Sequence, residues 1–199
     1  MLSVLSKFVL RLFGWAVAKD LPLKEKYVLI GAPHTSNWDF PLGLLGLLAM
    51  GLRFRWVGKH TIFKGPAGPM LKLIGGIPVD RRIRSRFIKQ MVALFNAREN
   101  MILTIAPEGS RSKTRYWKTG FYYIALDAAV PIALGYIDHR EKKIGIGYCL
   151  FPSGNIEKDM EIIRKFYDGK TGRHPEKQGE VRVRTREINK TSHSSKPGQ

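Results

Sequence analysis

Two short runs, Tyr27-Val28-Leu29-Ile30-Gly31 and Met101-Ile102-Leu103-Thr104-Ile105, are apolar at almost every position and too short to be helices. A strand with one wet face alternates apolar and polar residues, whereas a strand covered on both faces does not. Both runs therefore belong inside a sheet with packing on either side. The stretches between and beyond them carry helical character at 40–52, 83–98, 119–129 and 159–167, with a short turn and helix at 66–74. Further strands are expected at 53–58, 131–136 and 143–150. A brief extended segment covers 77–79, where Pro78 biases Ile77 away from helix. This alternation predicts one α/β domain, a mixed and mostly parallel sheet flanked by helices. In such folds functional residues gather at the carboxyl ends of strands. Two polar segments hold that position: residues 34–39 after the first run and 108–111 after the second.

At the N-terminus Leu2, Leu5, Val9, Leu12 and Phe13 fall near one helical face, and Trp15 and Val17 extend it. Lys7 and Arg11 interrupt the apolar run. At about 1.5 Å per residue, a helix over 2–18 is marginal for crossing a bilayer. The expectation is an amphipathic helix over 1–20 lying in a membrane interface, with Lys7 and Arg11 reaching toward headgroups. Docking on the protein's own core is the alternative. The folded domain spans 21–168, and residues 169–199 read as a basic, flexible tail.

The 34 lysines and arginines against 16 acidic residues leave a net charge of +18. Nucleic acid, an anionic membrane face, or phosphorylated substrates and acidic carriers would each account for it. A nucleic-acid-binding module is the distant reading. Arg182, Arg184 and Arg186 suit phosphates, yet no helix-turn-helix, zinc-finger or RNA-recognition signature stands out. Cys149 is the single cysteine, so no disulfide can form within the chain. It reads as a buried strand residue. There is no phosphate-loop motif, no Cys/His zinc spacing and no G-x-S-x-G nucleophile motif.

His34 and Asp39 are the first chemical candidates. A histidine that deprotonates an alcohol needs a neutral ring in one tautomer, and a carboxylate on its other nitrogen supplies this. Pro33, Thr35, Ser36 and Asn37 favour a loop leading into a helix, which brings the two side chains to one side. Pro107-Glu108-Gly109-Ser110-Arg111-Ser112 is the second cluster. Arg111 suits a phosphate and Gly109 lets a ligand approach the backbone. The third is Gly75-Gly76-Ile77-Pro78-Val79-Asp80-Arg81, which places Arg81 as a second guanidinium. Without a nucleophile motif, direct attack by an acceptor alcohol is the simplest chemistry.

Taken in order from about residue 27 to 137, these blocks resemble the glycerolipid acyltransferases typified by 1-acylglycerol-3-phosphate (lysophosphatidic acid) acyltransferase. The hallmark of that family is H-x4-D followed by E-G-[TS]-R, here His34 with Asp39 and Glu108-Gly109-Ser110-Arg111. Val130-Pro131-Ile132 resembles the family's fourth, apolar block. The chain departs from the family pattern at Pro33, Pro78 and Leu134. The resemblance implies His34 as general base and Asp39 as its orienting partner. Arg81, Glu108, Gly109, Ser110 and Arg111 would line the acceptor site, and Val130, Pro131 and Ile132 would pack near the acyl path. It implies an acyl-CoA or acyl carrier protein thioester as co-substrate, with neither cofactor nor metal. The acceptor would be a lysophosphatidic-acid-type alcohol, with another lysophospholipid or a lyso-aminolipid as the alternative. The expected place is the cytoplasmic face of an anionic membrane, as a peripheral or monotopic protein.

Overall fold

The computed structural model of the chain describes residues 1–19, 25–80 and 84–184. Within them the strands are β1 (Ala16–Lys19), β2 (Lys26–Ala32), β3 (Phe54–Lys59), β4 (Gly76–Val79), β5 (Met101–Ile105), β6 (Ile132–Asp138) and β7 (Lys143–Leu150). The helices are α1 (Leu2–Leu12), α2 (Asp39–Ala49), α3 (Gly68–Leu73), α4 (Arg84–Asn96), α5 (Gly120–Asp127) and α6 (Ile156–Tyr167). The strands form one sheet in the order β1-β7-β6-β2-β5-β3-β4. From β6 to β4 every neighbouring pair is parallel; β7 is antiparallel to β6, and β1 is parallel to β7. The mixed, mostly parallel α/β sheet expected from the sequence is therefore the fold.

The continuous apolar runs are explained by what covers them. On β2, Val28, Ile30 and Ala32 point into the larger core, shared with Met91 and Phe95 of α4, Phe121 and Ile124 of α5, and Met160 and Ile163 of α6. Tyr27 and Leu29 point to the opposite face, where Leu47 of α2 meets them. Full burial of such aliphatic side chains contributes about 1.5–3 kcal/mol each. Tyr167, at the end of α6, reaches under the sheet. Its hydroxyl donates between the carbonyls of Gly135 (2.8 Å) and Ile30 (3.2 Å), tying β6 to β2. Burial, with a smaller effect from nearby Glu108, pushes this phenol well above its ordinary pKa, so it remains a neutral donor.

The N-terminal helix is shorter than the expected 2–18. It ends at Leu12 because Gly14 takes a left-handed conformation, φ 77°. The Gly14 N–H donates to Arg11 O and the Trp15 N–H to Leu10 O, both at 2.9 Å, which closes a Schellman motif. Residues 16–19 then become the edge strand β1. Helix α1 docks on α2 through a narrow stripe, with Ser6 and Leu10 buried and Ser3 Oγ donating to Ala49 O at 2.8 Å. Leu2, Val4, Leu5, Phe8, Leu12 and Phe13 stay exposed. No helix among the described residues is long and apolar enough to cross a membrane.

The tail expected over 169–199 also needs correction as far as residue 184. The Gln178 side chain receives Gly172 N–H and donates to Lys170 O, folding this segment on itself. Trp117 N–H donates to Arg182 O, and Val181 and Val183 pack on the core. Two apolar residues and these hydrogen bonds tie a basic sequence to the core. Residues 185–199, including Arg186, lie outside the described residues.

Candidate active site

Three neighbouring parallel strands, β6, β2 and β5, end at the same edge of the sheet. The chain leaving β2 forms the loop of residues 33–38, entered through a cis Ala32–Pro33 peptide, and Asp39 opens α2. Asp39 organises this loop. Its Oδ2 accepts the Thr35 and Ser36 backbone N–H groups, each at 2.8 Å, and lies 3.4 Å from His34 Nδ1. Ser36 Oγ accepts the Trp38 N–H. The four-residue gap between His34 and Asp39 thus has a local cause. A carboxylate in the first helical turn can reach back to amides three and four residues earlier and to the imidazole beside them. The positive end of the helix also favours a negative charge there.

Burial works to raise the Asp39 carboxyl. Hydrogen bonds from His34, the Ser36 amide and His139 outweigh it, so the group stays below its ordinary carboxylate pKa and is ionised at neutral pH. With its side chain only 1% exposed, Asp39 is a fixed buried anion, while the His34 ring is 21% exposed and reachable. With Nδ1 turned toward the Asp39 carboxylate, the tautomer protonated at Nδ1 is the one this geometry favours, and it leaves the lone pair on Nε2. This arrangement can take a proton from an approaching hydroxyl.

Glu108 arrives from the end of β5 and is buried. Both of its oxygens lie 3.1 Å from the His34 backbone nitrogen, so its carboxyl pins the main chain of the catalytic candidate and faces inward. Burial raises its pKa to about 7, with the His34 amide working against and the Asp39 charge adding to the rise. Gly109 follows with φ 67°, a left-handed turn that glycine adopts at low cost. Beyond it Ser110 and Arg111 stand exposed at the same edge, and Ser110 Oγ accepts the Ser112 N–H. Arg81 lies outside the described residues. Val130, Pro131 and Ile132 are buried at the amino end of β6, the opposite end of the sheet from His34.

Two contributors are not evident from the sequence. His139 follows β6 directly and places Nε2 2.8 Å from Asp39 Oδ1. The available signal was its position, a polar residue at the carboxyl end of a third parallel strand. The second is the segment after α6. Thr171 O accepts the His139 N–H, the His174 N–H donates to Thr35 Oγ1, and Arg173 lies over the exposed Trp38 ring at 5.9 Å. Gly172 packs so closely on Thr35 that a Cβ there would fall 2.7 Å from its hydroxyl oxygen. Nothing in the composition of this stretch announces a structural strap. Among the described residues, no three His, Cys, Asp or Glu side chains converge to hold a metal ion.

Comparison with known proteins bears on the whole arrangement. A sequence-family model described as Acyltransferase matches residues 17–138, more than half of the chain, and includes His34, Asp39 and Glu108. The crystal structure of the 1-acyl-sn-glycerophosphate (LPA) acyltransferase PlsC from Thermotoga maritima is similar at a TM-score of 0.57 and 19% identity. The match covers 81% of this chain and 74% of that one, and at such identity it shows a shared fold. No curated protein matches the chain significantly.

Proposed function

The chain belongs to the acyltransferase family, and we propose that it moves a fatty acyl group from an acyl-CoA or acyl carrier protein thioester to the hydroxyl of a lysophosphatidic-acid-type acceptor in phospholipid biosynthesis. The observation that carries this reading is the His34–Asp39 pair: a reachable imidazole whose Nδ1 faces a buried, ionised carboxylate. His34 Nε2 accepts the acceptor's hydroxyl proton as the oxygen attacks the thioester carbonyl carbon. The tetrahedral intermediate collapses with cleavage of the C–S bond, and the proton passes to the departing thiolate. Asp39 holds the ring and stabilises the imidazolium between these steps. Arg111 and Arg81 are assigned to the acceptor's phosphate. No resident cofactor takes part.

The place of action is proposed to be the cytoplasmic face of an anionic membrane, the protein sitting there as a peripheral or monotopic enzyme. Support comes from the exposed Leu2, Val4, Leu5, Phe8 and Leu12 on α1, with Phe13 just after it, together with the net charge of +18. Replacing Leu5 and Phe8 by Gln should lower partition to anionic vesicles by roughly tenfold, with the remainder weakened by salt. Unchanged partition would remove α1 as the contact.

The reaction is tested with purified protein, both thioester donors and a panel of acceptors: lysophosphatidic acid, other lysophospholipids and a lyso-aminolipid. Turnover fastest with lysophosphatidic acid supports the reading. Turnover confined to an acceptor without a phosphate monoester would redirect it, and nucleic-acid binding without any acyl transfer would overturn it.

A further inference from the structure

His34 is the ring that meets substrate, yet it is the looser of two imidazoles on Asp39. His34 Nδ1 stands 3.4 Å from Oδ2, while His139 Nε2 stands 2.8 Å from Oδ1. The carboxylate is ionised, so His139 Nε2 must carry the proton and donate it. Each oxygen of Asp39 therefore has its own anchoring set: two backbone amides on Oδ2 and one imidazole on Oδ1. Two amides on one oxygen fix that atom but leave the carboxylate free to turn about it. A donor on the second oxygen removes that freedom.

His139 is itself held on three sides. Its position is set by the end of β6, its backbone N–H donates to Thr171 O at 2.8 Å, and the Trp15 ring meets it edge-on at 5.1 Å and 88°. A side chain only 13% exposed and confined this way can serve as a fixed donor. We propose that His139 is a positioning residue of the reaction, acting through its Nε2–H···Oδ1 bond to fix the plane of Asp39 and with it the tautomer and orientation of His34. It touches no substrate. The proposal rests on the acyl-transfer reading for its kinetic consequence, but its structural half stands in the resting protein.

The test compares His139→Leu with His139→Gln, whose amide can donate from a similar place, and uses His34→Ala as the reference for lost chemistry. For His139→Leu, kcat should fall by about tenfold to a hundredfold with KM for both substrates within about twofold, because only the transition state needs the aligned base. His139→Gln should recover kcat to within about threefold of the parent. Both variants should melt close to the parent. In the resting protein, 15N–1H spectra of the imidazole region should show the His34 Nδ1–H signal kept in His139→Gln and broadened by exchange in His139→Leu. Parental kcat in His139→Leu, a change confined to KM, or equal losses in both variants with lowered melting would each overturn the proposal. So would an unchanged His34 signal in His139→Leu. If the parent transfers no acyl group while the His34 signal responds as described, the functional reading falls and the positioning role stands.

Discussion

The loops at residues 33–39 and 107–112 carry motifs of similar length at the same edge of the sheet, but their polar groups are used differently. In the first, almost every polar group is turned inward: the Thr35 and Ser36 amides to Asp39, the Trp38 amide to Ser36, and the His34 amide to Glu108. In the second, Glu108 is turned inward and Pro107 O accepts the Lys118 N–H at 2.7 Å, while Ser110 and Arg111 are exposed and Ser110 Oγ accepts from the neighbouring Ser112 N–H. The first loop is built machinery, held so that one ring nitrogen is left over. The second is a bracket with an exposed end suited to meeting a ligand. Glu108 joins them, with both carboxyl oxygens 3.1 Å from the His34 backbone nitrogen.

The division has consequences of decreasing size. Replacing His34 by Ala removes the leftover nitrogen and should lower kcat about a thousandfold while melting is preserved. Acyl transfer near the parental rate would erase the distinction between the loops. Glu108→Gln probes the joint. The folded-state pKa of Glu108 is raised from 4.5 to about 7. The protonated form is therefore the favoured one, and its contribution is complete below pH 4.5 and lost as pH rises through about 7. The shift corresponds to about 3 kcal/mol. Urea titrations of both proteins from pH 5 to 8 should show the Gln variant gaining on the parent by that order, and a pH-independent difference would count against a buried, neutralised carboxyl. Arg111→Ala addresses the exposed end. Acceptor KM should rise about tenfold with kcat nearly constant, the signature of ground-state phosphate binding. An unchanged KM would leave the second loop without a ligand role.

Much of this molecule is legible in its sequence for definable reasons. β2 and β5 are covered on both faces, so their apolar runs are continuous and identify the middle of the sheet. Asp39 is legible because its bonds to Thr35, Ser36 and His34 are local. β1 is not: four residues at an edge carry no periodic signal, and the apolar Trp15 and Val17 continue the pattern of the preceding helix although Gly14 marks its end. His139 is illegible for a different reason. Its partnership with Asp39 spans 100 residues of sequence and exists only because β6 lies beside β2. The Thr35–His174 contact spans 139 residues and is equally invisible before the chain is folded.

Those separations carry a consequence for synthesis. The site closes through contacts between residues 34 and 108, 39 and 139, and 35 and 174, so it draws on almost the whole described chain. A ribosome making this protein releases His34 and Asp39 before Glu108 and His139, and the strap at 171–174 after them. Helices and the central strands can exist in a nascent chain that still lacks the means to align His34. Turnover would then begin only after the final contact has formed, which makes catalysis a stricter reporter of completed folding than helix content. A nick or early stop just after α6 should leave a chain that looks folded by circular dichroism and is silent in the acyl-transfer assay.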